Sequence, residues 1–139
     1  MSVTLSKNDT GNEGKGSYIL IIKLPAEQTI SIGSLNAVQL PSGDYAYVGS
    51  ALGGFKARLS HHLRPNKKLH WHVDYLLQRA SISSIILCES LERTECTIAR
   101  AFSHHFEAIP GFGSSDCHCH SHLFLAAADM QAEIMTILN

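Results

Sequence analysis

The hydrophobic period of the chain changes at Phe55. Upstream of this residue, short runs rich in β-branched and aromatic residues end at Pro or Gly, which is typical of strands. From Phe55 onward, apolar residues recur three and four positions apart, which predicts helices separated by shorter strand-like runs. This order indicates the α+β class, with a small, mainly antiparallel β-sheet flanked by helices.

Turn residues and helix caps set the bounds of the predicted elements. The predicted strands are residues 16–24, a β-hairpin of two short strands within 29–40 that turns near Gly33-Ser34, and residues 45–49, 82–88 and 121–126. The predicted helices run from Phe55 to the residue before Pro65, over 70–80, from a cap at Thr94 to about Phe106, and from a cap at Asp129 over 130–138. We therefore expect a single domain over residues 16–139, as suits a chain of 139 residues.

The first fifteen residues are polar and contain no apolar segment of the kind found in secretory signals, so we expect residues 1–15 to form a flexible N-terminal tail. The formal net charge of −1 excludes a uniformly basic nucleic-acid coat but allows a local basic patch. The four cysteines are too few and too irregularly spaced for a disulfide framework, and no apolar run is long enough for a membrane helix. These features predict a cytoplasmic protein with reduced thiols and no membrane partner.

A basic cluster lies on and after the first predicted helix. Five of the eleven Lys and Arg residues fall between positions 56 and 68, without an acidic residue among them: Lys56, Arg58, Arg64, Lys67 and Lys68. Such a cluster can contact the phosphates of a nucleic acid. A solvated helix face explains the same charges, and the sequence leaves both interpretations open.

Three polar residues lie on or beside the apolar side of predicted helices. Arg58 and His62 are four residues apart and share one helix face, where an arginine fork can match phosphate oxygens. Glu95 heads the apolar stripe of the helix that begins at Thr94, and a carboxylate beside a cleft is a hard ligand suited to Mg²⁺. The alternatives are an edge arginine, a hydrogen-bonded core histidine and a glutamate that faces the helix dipole.

Two triplets that each contain a tyrosine precede Arg58, His62 and Glu95 in the sequence. Gly16-Ser17-Tyr18 lies in the first predicted strand, and Tyr47-Val48-Gly49 lies in the strand after the hairpin. With these triplets in the places of its two motifs, the chain resembles the GIY-YIG nuclease superfamily over most of residues 16–107. Arg58, His62 and Glu95 follow in the order of that superfamily's catalytic arginine, a position filled by Tyr or His, and its single metal-binding glutamate.

Four further segments resemble a compact Uri-like branch of this superfamily, some members of which are fused to DNA-repair glycosylases. These segments are YVGSALGG, KKLHWHVDYLL, TEC and PGFGSSDCHCHSHLF, and the resemblance runs from Gly16 to Phe124. The chain departs from the superfamily at Ser17, where isoleucine is usual, and in the added hairpin between the two motifs. It also carries SSDCHCHSH in the region where many members have an asparagine.

The resemblance implies a metal-dependent endonuclease that hydrolyses phosphodiester bonds, in DNA rather than RNA. Glu95 would bind one Mg²⁺ or Mn²⁺, and Arg58 would neutralise charge on the scissile phosphate. Tyr18, Tyr47 or His62 would orient or deprotonate the attacking water, and the sequence does not choose among them. The glycosylase fusions point to a DNA-repair protein as a partner. The residues that would contact the nucleic acid are Lys56, Arg64, Lys67 and Lys68.

Two other functions fit parts of the sequence. One is a non-catalytic nucleic-acid-binding module that retains the nuclease fold, and the net charge of −1 suits it slightly better. The other is a metal or redox protein centred on DCHCHSH at 116–122, where Zn²⁺ could bind Cys117, Cys119 and His residues. In an extended segment, however, these residues alternate between two faces. Cys117 and Cys119 would then pack inward, and Asp116, Ser121 or His122 would form hydrogen bonds that hold the Gly-rich loop at 109–115 (IPGFGSS).

Two histidines flank a tryptophan at 70–72, within the second predicted helix. Residues two apart on a helix do not face each other, so this pair is a poor metal site. We expect His70 to pair locally with Asp74, four residues on. We expect Trp71 to cover the core rather than to stack on a nucleic-acid base.

Overall fold

Strand β2 (Gly16–Leu24) is buried on both faces over most of its length. In the computed structural model, which describes residues 2–6, 14–32, 35, 37–114, 119–126 and 129–138, this strand belongs to a six-stranded sheet. The other strands of the sheet are β1 (Ser2–Ser6), β5 (Gly43–Ala51), β6 (Ser81–Glu89), β7 (Glu107–Ala108) and β8 (Leu123–Ala126). Strands β3 (Gln28–Ser31) and β4 (Ala37–Leu40) form a separate two-stranded sheet.

The six strands have the order β1-β6-β2-β5-β8-β7, and each neighbouring pair is antiparallel. In the described part of the chain, four helices flank the sheet: α1 (Phe55–Leu63), α2 (His72–Leu76), α3 (Glu95–Ser103) and α4 (Met130–Leu138). The expected α+β class and the mainly antiparallel sheet are confirmed. β3 and β4 form the hairpin expected within 29–40, whereas Gly33 and Ser34, its expected turn, lie outside the described residues.

Two apolar clusters cover the two faces of the sheet. Successive residues of β2 point to opposite faces, so Tyr18 and Leu20 enter one cluster while Ile19 and Ile21 enter the other. Helices α1 and α2 close the first cluster with Phe55, Leu59, Val73 and Leu76. Helices α3 and α4 close the second with Ile98, Ala99, Phe102, Met130 and Ile134. The sheet is therefore the middle of three layers.

The register of β2 and β5 determines where the two tyrosine triplets meet. Tyr18 lies opposite Gly49 and Leu20 lies opposite Tyr47, so the two tyrosines are diagonal neighbours on one face of the sheet. Their ring centroids are 6.5 Å apart. This packing requires a glycine at position 49, because a Cβ atom there would overlap the ring of Tyr18.

The N-terminal residues differ from the flexible tail expected over 1–15. Residues 2–6 form β1, which pairs antiparallel with β6, and Val3 packs against the second apolar cluster. The carbonyl groups of Gly14 and Lys15 accept hydrogen bonds from the backbone of Phe55 and Ser90. The edge of β6 presents a row of backbone donors and acceptors, and pairing with these groups makes a polar segment into a strand. Residues 7–13 lie outside the described residues.

Helix α2 is shorter than the pattern over 70–80 predicts. The carboxylate of Asp74 accepts the backbone N–H groups of His70 and Trp71, so the helix begins only at His72. Residues 77–79 form turns instead of a further helical turn. No helix in the described part of the chain has the length and apolar composition that a membrane span requires.

The two expected helix caps have different outcomes. Asp129 caps α4, because its Oδ1 atom accepts the backbone N–H of Ala132 at 3.3 Å. Thr94 directly precedes α3, but among the described residues its hydroxyl makes no capping hydrogen bond. It lies instead 2.7 Å from Oγ of Ser17. Helix α3 also ends at Ser103, before the expected end near Phe106.

Candidate functional site

Tyr18 and His62 form a buried pair between β2 and α1. The Tyr18 hydroxyl lies 2.6 Å from Nε2 of His62, and neither side chain is more than slightly exposed. Phe55 and Leu59 share a face of α1 with His62, and their burial in the first apolar cluster turns this face toward the sheet. The first tyrosine triplet and α1 therefore meet through a hydrogen bond as well as through apolar packing.

Burial keeps both members of the Tyr18–His62 pair uncharged. It raises the pKa of Tyr18 well above its usual value and lowers the pKa of His62 to about 3. A neutral imidazole has one donor and one acceptor nitrogen. Nδ1 of His62 has no hydrogen-bond partner among the described residues and lies 3.9 Å from Oδ1 of Asp74, whose charge favours a proton on Nδ1. Nε2 then accepts the hydrogen bond from Tyr18.

Asp74 organises this network from α2. Its buried carboxylate oxygens lie 3.1 Å from Nε2 of His61 and accept the backbone N–H groups of His70 and Trp71 at 2.8 and 2.9 Å. Burial opposes ionisation of Asp74, but these donors lower its pKa below the usual value. The expected contact between Asp74 and His70 exists through the backbone of His70. The side-chain partner is His61, whose distance of thirteen residues along the chain gave no sequence signal.

Tyr47 and Arg58 lie next to the buried pair and line a cavity of about 500 Å³. The Tyr47 ring centroid is 6.3 Å from that of His62. Burial raises the pKa of Tyr47, and the positive charge of Arg58 acts in the opposite direction. Arg58 lies over Trp71, with its guanidinium carbon 4.4 Å from the ring centroid. Trp71 packs on the first apolar cluster, as expected for a residue that covers the core.

Glu95 faces the same cavity from the first turn of α3. Its side chain is only 14% exposed, and its Oε1 atom lies 3.1 Å from the guanidinium of Arg93. Its Oε2 atom lies 3.9 Å from Nδ1 of His122. The contact between the Ser17 and Thr94 hydroxyl groups joins β2 to the residue before Glu95.

The cavity collects residues from β5, α1 and α3. Its lining residues are Tyr47, Ser50, Leu52, Arg58, Trp71, Arg93, Glu95, Cys96, Gly113 and His122. Of the five residues expected to act in catalysis, Tyr47, Arg58 and Glu95 therefore line one cavity. Tyr18 and His62 do not line it, but their rings lie 6.5 and 6.3 Å from the ring of Tyr47.

The basic residues expected to contact nucleic acid have two different environments. Lys56, Arg64 and Lys68 are exposed. Lys67 is half-buried, and its Nζ atom donates to the backbone carbonyl of His62 at 2.5 Å. Burial lowers the pKa of Lys67. Lys67 therefore stabilises the C-terminal end of α1, where backbone carbonyls lack helical partners.

Cys96, Cys119 and His122 form a group that could hold a metal ion. One ligand atom from each lies within 4.8 Å of the others. The expected zinc ligands were Cys117, Cys119 and neighbouring histidines, and Cys117 and His118 lie outside the described residues. Sequence reasoning missed Cys96, because this cysteine is 26 residues from His122 and meets it only through the packing of α3.

His122 also holds the Gly-rich loop. This agrees with the alternative to a zinc site, in which His122 forms hydrogen bonds to that loop. Its backbone N–H donates to the carbonyl of Phe112 at 2.8 Å, and its Nδ1 atom lies 3.1 Å from the carbonyl oxygen of Val48. The loop is further fixed by a hydrogen bond from Gly113 N–H to Nδ1 of His72 at 2.8 Å. Asp116, a second candidate for this role, lies outside the described residues.

Comparison with known proteins assigns the chain to a family without a known activity. No curated protein and no solved structure shows significant similarity to the chain. The family model described as "Domain of unknown function DUF123" matches residues 17–139. This range contains the five residues around the cavity as well as the cysteines and histidine near β8. The chain therefore belongs to the DUF123 family.

Proposed function

We propose that the cavity between β5, α1 and α3 is the active site of a metal-dependent endonuclease. The observation that carries this proposal is the meeting of Tyr47, Arg58 and Glu95 at one cavity, although they come from three elements far apart in the sequence. A hydroxyl, a guanidinium and a carboxylate are the groups that phosphodiester hydrolysis with a single metal ion needs. The resemblance to the GIY-YIG superfamily supports the same reaction.

The Glu95 carboxylate is a hard ligand and suits a hard divalent cation such as Mg²⁺. Mg²⁺ is usually bound through one or two carboxylates, with water and phosphate oxygens as its other ligands. The Glu95 carboxylate lines the cavity, and Oε1 rather than Oε2 contacts the largely exposed Arg93. A bound Mg²⁺ or Mn²⁺ supplies Lewis-acid stabilisation of the charge on the leaving oxygen.

Arg58 binds the scissile phosphate in this proposal. The guanidinium is held over Trp71 and lines the cavity that Glu95 also lines. Stacking on the indole restricts the side chain and leaves the edge of its planar fork available for phosphate oxygens. Charge that develops in the transition state is then neutralised by a cation fixed before the reaction starts.

Tyr18 and His62 are positioning residues in this proposal. Neither lines the cavity, and both are buried, so they do not touch the attacking water. The Tyr18 hydroxyl donates to Nε2 of His62 over 2.6 Å, which fixes the two rings behind Tyr47. The Asp74 carboxylate, 3.9 Å from Nδ1, favours the tautomer of His62 that accepts this hydrogen bond.

Tyr47 has a different task in the same scheme. Burial raises its pKa, so it stays protonated at neutral pH and can donate a hydrogen bond. Tyr47 lines the cavity, and in this proposal its hydroxyl orients the water or a phosphate oxygen. We also propose DNA as the substrate and a DNA-repair protein as partner, and both rest on the resemblance to the Uri-like branch.

A non-catalytic nucleic-acid-binding module is the second candidate function. The exposure of Lys56, Arg64 and Lys68 favours it, because these residues could contact phosphates without any chemistry. The burial of Tyr18 and His62 also fits a protein in which they serve only to hold α1 on the sheet. The two functions differ in whether Glu95 and Arg58 are needed beyond binding.

A cleavage assay separates these two functions. Labelled single-stranded DNA, duplex DNA, flap DNA and RNA are incubated with the protein and Mg²⁺ or Mn²⁺, with EDTA as the blank. We expect Glu95→Gln and Arg58→Ala each to reduce the cleavage rate by at least about 100-fold, as removal of one electrostatic contact does in other active sites. Binding to the same substrate, measured by fluorescence anisotropy, should fall much less in Glu95→Gln.

Matched variants control for changes in surface charge. Glu92→Gln and Arg100→Ala alter exposed residues outside the cavity lining, and both should cleave at the wild-type rate. Cleavage that survives in Glu95→Gln and Arg58→Ala would refute this active site. Salt-dependent binding without cleavage of any substrate would instead support the binding module.

A further inference from the structure

We propose that Cys96, Cys119 and His122 bind a zinc ion in the wall of the cavity that Glu95 also lines. Cys96 lies in the first turn of α3, whereas Cys119 and His122 lie just before β8. Their ligand atoms lie within 4.8 Å of one another, and Sγ of Cys96 is 4.0 Å from Nε2 of His122. Zinc bond lengths of about 2.3 Å to sulfur and 2.0 Å to nitrogen place tetrahedral ligand atoms roughly 3.5–3.8 Å apart. A small contraction would therefore close the group around an ion.

The orientation of the His122 ring supports a metal ligand. Nδ1 lies 3.1 Å from the carbonyl oxygen of Val48, an atom that can only accept, so the proton is on Nδ1. Nε2 then carries a lone pair on the side of Cys96. Zinc-binding histidines typically donate their second nitrogen to a carbonyl or carboxylate in this way, which fixes both the tautomer and the ring. The backbone N–H of Val48 also donates to the carbonyl of His122 at 2.9 Å.

The donor set selects the kind of metal. Two thiolates and an imidazole are soft or borderline ligands, which favour Zn²⁺ and disfavour Mg²⁺. The start of α3 favours a negative charge such as the Cys96 thiolate, because the helix dipole is positive at that end. The three ligands found among the described residues occupy three positions of a tetrahedral site. This site is therefore chemically distinct from the hard Glu95 carboxylate.

Zinc would connect two parts of the chain that both contact the proposed active site. Glu95 directly precedes Cys96, and its Oε2 atom lies 3.9 Å from the His122 ring. His122 in turn is bound to Val48 of the second tyrosine triplet. An ion held by Cys96 and His122 would fix α3 against β5 and so set the position of the Glu95 carboxylate.

Metal analysis of the purified full chain tests the site. After dialysis against metal-free buffer, inductively coupled plasma mass spectrometry should find about one zinc per chain. In Cys96→Ser, Cys119→Ser and His122→Ala, affinity measured by competition with a chromogenic chelator should fall at least about 100-fold, because loss of an outer hydrogen-bond partner alone costs 10–100-fold. Cys88→Ala and His120→Ala are the controls, since Cys88 is buried apart from the group and His120 is exposed beside it.

Cobalt substitution gives a readout that does not depend on activity. Co²⁺ added to the zinc-depleted wild-type chain should produce thiolate-to-cobalt charge-transfer absorption and tetrahedral d–d bands, which Cys96→Ser should weaken. Absence of both zinc and these bands in the folded wild-type chain would overturn the proposal, as would full zinc retention in both cysteine variants. Glu95→Gln should lose cleavage and keep its zinc, so failure of the zinc site and failure of the nuclease are distinguishable.

Discussion

Asp74, His62 and Tyr18 form a line of polar side chains that runs from α2 through α1 to β2. Each of them is buried, and the Nδ1 atom of His62 has no hydrogen-bond partner in the described part of the chain. Leaving a buried donor unpaired costs about 1–3 kcal/mol. The imidazole offsets part of this cost, because its Nε2 atom accepts the hydrogen bond of the buried Tyr18 hydroxyl.

At the residue scale, His62 makes the stability of the protein depend on pH. Its pKa falls from 6.5 in the unfolded chain to about 3 in the folded protein. Between these values the unfolded state binds more protons, so the free energy of unfolding falls as the pH falls. His62 alone should contribute a loss of about 2 kcal/mol between pH 6 and pH 4, at roughly 1.4 kcal/mol per pH unit.

Urea unfolding at a series of pH values measures this contribution. The variant His62→Gln keeps a hydrogen-bond partner for Tyr18 and cannot titrate, so its unfolding free energy should depend less on pH in this range. His105→Gln, which replaces an exposed histidine, should retain the pH dependence of the wild type. Parallel pH profiles for wild type and His62→Gln would contradict a neutral, buried His62.

At the scale of elements, contacts between strands and helices place the proposed active site. The hydrogen bond between Ser17 and Thr94 ties β2 to the start of α3, which carries Glu95. The register of β2 and β5 sets Tyr18 beside Tyr47. Because these contacts come from regular elements packed on both faces of the sheet, the core positions Tyr47 and Glu95. The connecting segments supply other residues of the cavity lining, namely Leu52, Trp71, Arg93, Gly113 and His122.

Gly49 is the position at which the pairing of β2 and β5 is most sensitive to substitution. In Gly49→Ala the added methyl group would overlap the Tyr18 ring and displace it from His62. We expect the unfolding free energy to fall by about 1–3 kcal/mol, the usual cost of overpacking, and cleavage to fall with it. Chemical denaturation and the cleavage assay measure the two effects.

Gly53→Ala is the matched control for this change. A Cβ atom at position 53 would have no described atom within 4 Å, so the unfolding free energy should change by less than about 0.5 kcal/mol. If Gly49→Ala is as stable and as active as Gly53→Ala, Tyr18 does not need the position seen in this structure.

At the scale of the whole molecule, a net charge of −1 coexists with a local basic surface on and after α1. Lys56, Arg64 and Lys68 are exposed, whereas Lys67 is used to hold the end of α1. Binding of a nucleic acid would therefore depend on a few phosphate contacts and not on the overall charge. A molecule of this kind should bind weakly and with a modest dependence on salt.

The double variant Lys56→Ala/Lys68→Ala tests this surface. If both lysines contact phosphates, the slope of log K against log salt concentration should decrease in magnitude by about 2, since each contact contributes roughly 0.9 on B-DNA. Fluorescence anisotropy titrations with duplex DNA at several salt concentrations give the slope. Lys23→Ala, which removes an exposed charge near the far end of β2, should leave the slope unchanged. An equal slope in wild type and double variant would exclude these lysines from the interface.

Local patterns predicted most of the elements, because strands and helices leave a period in the sequence that their neighbours do not alter. The hairpin within 29–40, α1 and β2 follow this rule. The predicted elements are wrong where a segment forms hydrogen bonds that its own hydrophobic pattern does not encode. Residues 2–6 became a strand because β6 offered an edge, and α2 became short because Asp74 capped it at His72.

The sequence by itself determined the α+β class, the separate hairpin and the set of polar residues on buried faces, since burial pattern and residue type are local properties. Only the tertiary structure decided which of these residues meet. It joined Asp74 to His61, separated Lys67 from the exposed lysines, and brought Cys96 to His122 across 26 residues of chain. Contacts between residues far apart in sequence depend on how helices pack on the two faces of the sheet, and no spacing along a single chain encodes that packing.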